Sequence, residues 1–267
     1  MLEVLRKMED DNVNETTRKV KKHIEKIFTF AIAKGKLNSN PATGIQGALK
    51  ALPPTEHQRH LAIEDISSFI KAIQNDQGHP IVKLGLQLLL LTMTRTGEVR
   101  FATWKEIDFD KAIWNIPASR MKMKRDHCIP LSRQAVQILQ ELHQFTSHSG
   151  YLVRSPNSNK PLSENAFLVL IKRIGFKSKT TTHGLRATAS TYLNEQGFRP
   201  GVIEKQLAHE ERNQVRKAYN HAEYLEERAD MLQKWANHLA TLNEQFEINN
   251  ENQKNNINHN STKASKK

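Results

Sequence analysis

The chain has 267 residues, 40 of them Lys or Arg against 28 Asp or Glu, so it carries a formal charge of +12. That length can bury a core in one large domain or two small ones, and that charge favours a polyanionic partner, nucleic acid first. One cysteine, Cys128, excludes an internal disulfide framework and a Cys-based zinc site; the longest aliphatic run, Leu88 to Leu91, is far too short for a membrane span, and residues 1–11 lack the apolar core of a secretory signal, so no membrane partner and a cytoplasmic location are expected.

In chain order, Asn14 to Gly35 reads as an amphipathic helix with an apolar stripe of Val20, Ile24, Ile27, Phe28, Ala31 and Ile32, a cap at Asn14 and a stop at Gly35. Arg18, Lys19, Lys21, Lys22 and Lys26 crowd the other surface. They form either an ordinary solvated face or one that lies against phosphates. The polar stretch Leu52 to His60, with Pro53-Pro54, reads as a linker. Helical patterns follow at Ile63 to Ile73 and at Pro80 to Thr94, the second Leu-rich enough to be buried, with Pro80 suited to a first turn. Three short β runs come next, Ile107 to Phe109, Ala112 to Ile116 and His127 to Leu131, with a turn at Asp110-Lys111. Helical character returns around Ala135 to Leu142, Ala166 to Ile174, Leu185 to Leu193 and Tyr224 to Leu242. The expected class is therefore mainly α with a small antiparallel β-sheet. From Asn249 onward, 7 of 19 residues are Asn and 4 are Lys, a composition that cannot bury a core, so disorder is expected from residue 246. The expected division is 1–51, a linker at 52–61, a larger unit at 62–245 and the tail at 246–267.

Four motifs carry chemistry. Thr94-Arg95-Thr96-Gly97-Glu98 puts an arginine where a buried helix stops, able to grip a phosphate with two parallel hydrogen bonds; an Arg and a Gly are equally ordinary at a helix C-terminus. Arg120, Lys122, Lys124 and Arg125 make a charged hairpin tip, either for solubility or to bring a Lys to a leaving oxygen. His183 and Arg186 lie three apart at a helix start and share a face, where the His can move a proton near neutral pH. Leu207-Ala208-His209 is followed ten residues later by Tyr219, which is either a core phenol or a nucleophile beside a base and a cationic target site.

Each motif is weak alone. In this order and spacing, with the flanking text TRTGEVRFATWKEIDFD, IPASRMKMKRDHCIPLS, THGLRATASTYL and LAHEERNQVRKAYNHAEYLEER, the chain resembles the tyrosine recombinases (phage integrase family), and among them the integrases of satellite phages and genomic islands. The resemblance covers about Thr16 to Leu242. It implies a tyrosine-recombinase catalytic domain at 62–245, preceded by a partial helical core-binding domain at 1–51. Relatives carry an arm-site domain before these two, so the chain reads as N-terminally truncated.

Residue by residue, the resemblance implies Arg95 as the first family arginine with Glu98 in support. Lys122 is the hairpin lysine, eight positions before Pro130, with Lys124 as the alternative. His183 and Arg186 form the His-x-x-Arg pair, His209 is the later His, and Tyr219 is the nucleophile; Tyr224 lies too far from His209. DNA contacts are expected from Arg18, Lys19, Lys22, Lys26, Arg120, Lys124 and Arg125. The implied activity is metal-independent, cofactor-free strand exchange of a mobile element through a 3′-phosphotyrosine. Attachment-site duplexes, a homotetramer on synapsed DNA and DNA-bending accessory proteins are the implied partners, at the bacterial nucleoid. Two alternatives stay open: a DNA-binding remnant without productive recombination, and a type IB-like topoisomerase.

Overall fold

A computed structural model of the chain describes residues 1–50, 59–209 and 223–264. The chain divides into two compact units, Met1–His57 and Gln58–Lys267.

In the first unit, helix α1 (Leu2–Asp10) packs against α2 (Asn14–Ala33), and a 3-10 segment follows at Thr43–Ala48. The cap of α2 is Val13, with Asn14 already helical, and the turn ends at Gly35 in the left-handed region, φ 66°. Five of the six stripe residues, Val20, Ile24, Phe28, Ala31 and Ile32, are half-buried, and Thr17 and Lys21 on the same face are buried; Ile27, at the edge of the stripe, is 65% exposed. Glu25 pairs with Lys21 one turn on, which lets that ammonium leave water. Glu9 is also buried, and its Oε1 accepts from the Lys50 amide at 2.9 Å. Helix α1 has no counterpart among the sequence expectations, because nine residues are too few to display a period.

The second unit is built around α4 (Pro80–Thr92), after a 3-10 turn at Ile63–Asp65 and helix α3 (Ile66–Asn75). Pro80 occupies the first turn and His79 caps it, Nδ1 accepting from the Ile81 amide at 3.3 Å. Apolar on all sides, α4 is buried along nearly its whole length. It packs on α5 (Thr96–Arg100), α6 (Arg133–Thr146), α7 (Ala166–Arg173), α8 (Thr182–Glu195) and the last helix, α10 (Leu225–Ala264); the short α9 (Pro200–Gln206) packs on α8 and α10. Gly85 admits the crossing with α7: a Cβ there would lie 2.9 Å from Val153 Cγ1 and 3.1 Å from the Phe167 ring. Strands β1 (Ile107–Asp108), β2 (Ile113–Ile116) and β3 (His127–Pro130) form an antiparallel meander, with Ile107 opposite Trp114, Trp114 opposite Ile129 and Ile116 opposite His127. Trp114, Ile116, His127 and Ile129 are buried while Asn115 is exposed, the period-two alternation of a half-covered sheet.

α10 is helical backbone as far as Ala264, into the segment 246–267 for which disorder is the expectation from composition. Helices α5 and α9 were unforeseen, because five and seven residues are too few to display a period. Among the described residues, no helix is long and apolar enough to cross a membrane.

The C-terminal end of α4 organises its surroundings. Its cap, Met93, is left-handed with φ 55°, and side chains from three other helices satisfy the carbonyls there. Trp235 Nε1 of α10 donates to Leu90 O at 3.0 Å, Gln206 Nε2 of α9 to Thr92 O at 2.7 Å, and Arg186 Nη1 of α8 to Met93 O. Buried carbonyls without partners would each cost about 1–3 kcal/mol, so α8, α9 and α10 are drawn to one point.

Candidate active site

That point is where Arg95, His183, Arg186 and His209 gather. Arg95 is the N-cap residue of α5, directly after the end of α4. Its Nη1 donates to Glu98 Oε1 at 2.8 Å, and Glu98 Oε2 accepts from the Arg95 amide at 2.7 Å, so one carboxylate holds both backbone and guanidinium. Glu98 is buried; the Arg95 side chain is 31% exposed, leaving an edge for an anion. Arg95 Nη2 donates to Ala208 O at 3.1 Å.

Arg186 is 4% exposed. Its Nη1 donates to Met93 O and its Nη2 to Leu207 O at 2.7 Å, so the guanidinium bridges the C-terminal ends of α4 and α9. Helix C-termini carry partial negative charge, which offsets part of the cost of burying this cation. Loss of water, then repulsion from Arg95, lowers its pKa to about 10, still well above neutrality, so the group keeps its charge. Its Nε is buried without a partner among the described residues.

His183 lies in the first turn of α8, capped by Thr181, whose Oγ1 accepts from the Gly184 amide at 3.0 Å. Thr182 Oγ1 accepts from Thr96 Oγ1 at 3.0 Å, tying this turn to the Arg95 segment. The His183 pKa lies below the usual histidine value: partial loss of water is the first cause, and Arg186, His209 and Arg95 add like charge. The ring is thereby biased to the neutral, proton-accepting form. His209 is exposed and its Nδ1 lies 2.7 Å from Glu204 Oε2, a contact that orients the ring. Gly184 is required: a Cβ there would lie 2.0 Å from Arg59 O, where residues 59–61 cross the face of α8 and Thr188 Oγ1 donates to Leu61 O at 2.7 Å.

The hairpin behaves differently. Lys122, Lys124 and Arg125 are exposed between β2 and β3, and Lys124 is left-handed, φ 53°. Lys122 has no hydrogen bond or ion pair to the four gathered residues among the described residues. Arg120, expected on DNA, is instead engaged by the protein: it pairs with Glu106 and donates to Glu98 O. Glu106 also accepts from Trp114 Nε1 at 3.0 Å and Thr103 Oγ1 at 3.1 Å, so the base of the hairpin is fixed to the Glu98 segment that holds Arg95. Arg18 is likewise turned inward, donating to the Leu49 and Lys50 carbonyls, whereas Lys19, Lys22 and Lys26 are exposed and Lys19 pairs with Glu15 at 2.7 Å. Tyr219 lies outside the described residues. Tyr224 is described: its backbone is left-handed, φ 49°, and the Arg199 guanidinium stacks 5.0 Å above its ring.

Sequence reasoning missed a second buried network alongside. Gln206 Oε1 accepts from Arg228 Nε at 2.9 Å, Arg228 Nη2 donates to Cys128 O at 2.7 Å, and His127 Nε2 lies 3.2 Å from Gln206 O. Only the inward phase of His127 in its strand pattern hinted at it. Among the described residues no group of three or more His, Cys, Asp or Glu has metal-site geometry.

Residues 59–226 match the family model described as phage integrase family, and residues 1–48 the phage integrase central domain. Prophage integrase IntZ of Escherichia coli K12 is 38% identical over 229 residues, 85% of this chain and 56% of that protein. The integrase of Shigella phage Sf6 is 35% identical over 241 residues, 90% of this chain and 62% of that protein. The chain thus spans less than two thirds of the length of these relatives. In fold it is similar to a lambda integrase(75-356) dimer bound to a COC' core site, with TM-score 0.62, 18% identity and coverage of 78% and 76% of the two chains. It is also similar to Tn1549 transposon integrase in complex with a circular intermediate DNA, with TM-score 0.64, 20% identity and coverage of 86% and 83%.

Proposed function

The chain belongs to the phage integrase family, and we propose that it is a site-specific DNA recombinase that cuts and rejoins strands through a 3′-phosphotyrosine. The observation that carries this reading is the convergence of two fixed guanidinium groups and two imidazoles at the ends of α4 and α9. Such a site suits a phosphodiester whose non-bridging oxygens gain charge in the transition state.

In the proposed step Tyr219 Oη attacks phosphorus, the Oη–P bond forms and the P–O5′ bond breaks. Arg95 and Arg186 take the charge on the non-bridging oxygens, and His209 adds a hydrogen bond. His183, biased to its neutral form, accepts the phenol proton. Lys122, delivered by the hairpin, protonates the leaving 5′ oxygen. The phosphotyrosine keeps the bond energy, so a 5′ hydroxyl of a partner strand reverses the step. Lys19, Lys22, Lys26, Lys124 and Arg125 meet duplex phosphates in this reading. Attachment-site DNA at the nucleoid is the substrate, a homotetramer on two synapsed duplexes the working assembly, and DNA-bending proteins the accessory partners. The domain assignment that accompanies it is core-binding at 1–51 and catalytic at 62–245.

The test is covalent trapping on a nicked duplex built from the element's own junction. Detergent-stable adduct is expected from the wild type and from Tyr224→Phe, and none from Tyr219→Phe. Gel-shift binding with no wild-type adduct would establish a DNA-binding protein that does not cleave.

A further inference from the structure

Three consecutive carbonyls at the end of α9 each meet a side chain from another element. Gln206 O faces His127 of β3, Leu207 O accepts from Arg186 of α8, and Ala208 O accepts from Arg95 before α5. Ala208 is left-handed, φ 48°, an uncommon conformation for alanine, so this turn is held by its surroundings. Arg186 spans Met93 O and Leu207 O, and one residue earlier on both helices the Gln206 amide spans the same gap, Nε2 to Thr92 O at 2.7 Å. Arg228 holds that amide in orientation by donating to its Oε1 at 2.9 Å. Gln206 is 1% exposed, too deeply buried to reach DNA itself.

We propose that Gln206 is a positioning residue for strand cleavage: its amide sets the separation of the α4 and α9 ends, and so the aim of Arg186 and Arg95. This rests on the recombinase reading above. The carbonyl-facing Nε2–H₂ group does the positioning. Losing it lets two buried carbonyl ends separate, and the guanidinium between them follows one end or the other. Misplacement by about 1 Å at a reacting centre costs on the order of 100-fold in rate.

The experiment uses the full chain and the nicked duplex at saturating concentration, reading single-turnover adduct formation and, separately, DNA affinity. Gln206→Met removes both side-chain bonds. Gln206→Glu keeps the size and the Arg228 bond but turns the group facing Thr92 O from donor to acceptor, and it serves if the methionine variant does not fold. Both are expected to lose about 100-fold in cleavage rate, with affinity held within about twofold. Each is repeated on a duplex whose scissile phosphate carries a methyl in place of one non-bridging oxygen. That linkage is uncharged and depends less on the arginines, so the deficit is expected to shrink by about tenfold. An equal deficit on both linkages, a loss that follows affinity or melting temperature, or wild-type cleavage by Gln206→Glu overturns the proposal. Absence of adduct from the wild type overturns the recombinase reading and the proposal with it.

Discussion

Arg186 and His127 show two ways in which this fold keeps an ionisable group indoors. The arginine stays charged because the carbonyl ends of two helices face it. The histidine is kept neutral: burial, followed by the Arg228 charge, lowers its pKa from 6.5 to about 3, although its contact with Gln206 O acts in the other direction. A histidine whose folded pKa is depressed takes up protons more readily when unfolded. Its contribution to stability is therefore complete above about pH 6.5 and is lost as the pH falls from there towards 3. Urea unfolding of the wild type should weaken across that window with a slope of up to about 1.4 kcal/mol per pH unit from this group. His127→Gln, which keeps a donor for the carbonyl, should flatten the dependence; an unchanged slope would place the acid sensitivity elsewhere.

Among the elements, α8 is the one whose local sequence is most tightly constrained. Gly184 and Thr188 are one turn apart on the face crossed by residues 59–61, and His183 and Arg186 flank that face. A Cβ on Gly184 would press on a backbone oxygen that cannot swing away. Gly184→Ala should therefore destabilise by about 1–3 kcal/mol in urea titrations. Gly97→Ala in α5 meets nothing within 4 Å, and it should be neutral or stabilising by about 0.5 kcal/mol through the unfolded chain. Equal losses in the two would mean that helix propensity, not the crossing, decides. The hairpin makes the complementary point. Arg120 and Glu106 hold its base inside the protein, while its tip keeps Lys122, Lys124 and Arg125 in water. A held base and a hydrated tip suit a loop that must reach a partner from a set direction.

For the whole molecule, a charge of +12 makes affinity for nucleic acid a function of salt. Each Lys or Arg that meets a phosphate adds about 0.9 to the slope of log affinity against log salt concentration. Lys124→Ala with Arg125→Ala should lower that slope by about 2, uniformly across DNA sequences. Lys50→Ala serves as the comparison, because that ammonium lies 3.3 Å from Asp10 within the first unit. An unchanged slope in the hairpin variant would remove the hairpin tip from the DNA-facing surface.

The class of the fold and most of its helices were legible in the residues themselves. Hydrophobic period marks α6 and α10, a Leu-rich run opened by Pro80 marks the all-round buried α4, and alternation marks β2 and β3. The family was legible too, from the order and spacing of its short motifs along the chain. Spacing along the chain was silent on what lies between the motifs. The stripe on α2 is half-buried, but its residues do not show that Thr17 and Lys21 lie deepest on that face, where a partner one turn away lets the Lys21 ammonium leave water. Arg18 and Arg120 look like any exposed cation in sequence, and only packing turned them towards backbone carbonyls. Gln206 has no signature at all. A glutamine becomes special here because two helix ends, 114 residues apart in the chain, leave buried carbonyls that something must satisfy. Residue type and local period are properties of the chain, whereas hydrogen-bond satisfaction in a buried place is a property of the assembled fold, and it is that requirement which brings the two arginines to the ends of α4 and α9.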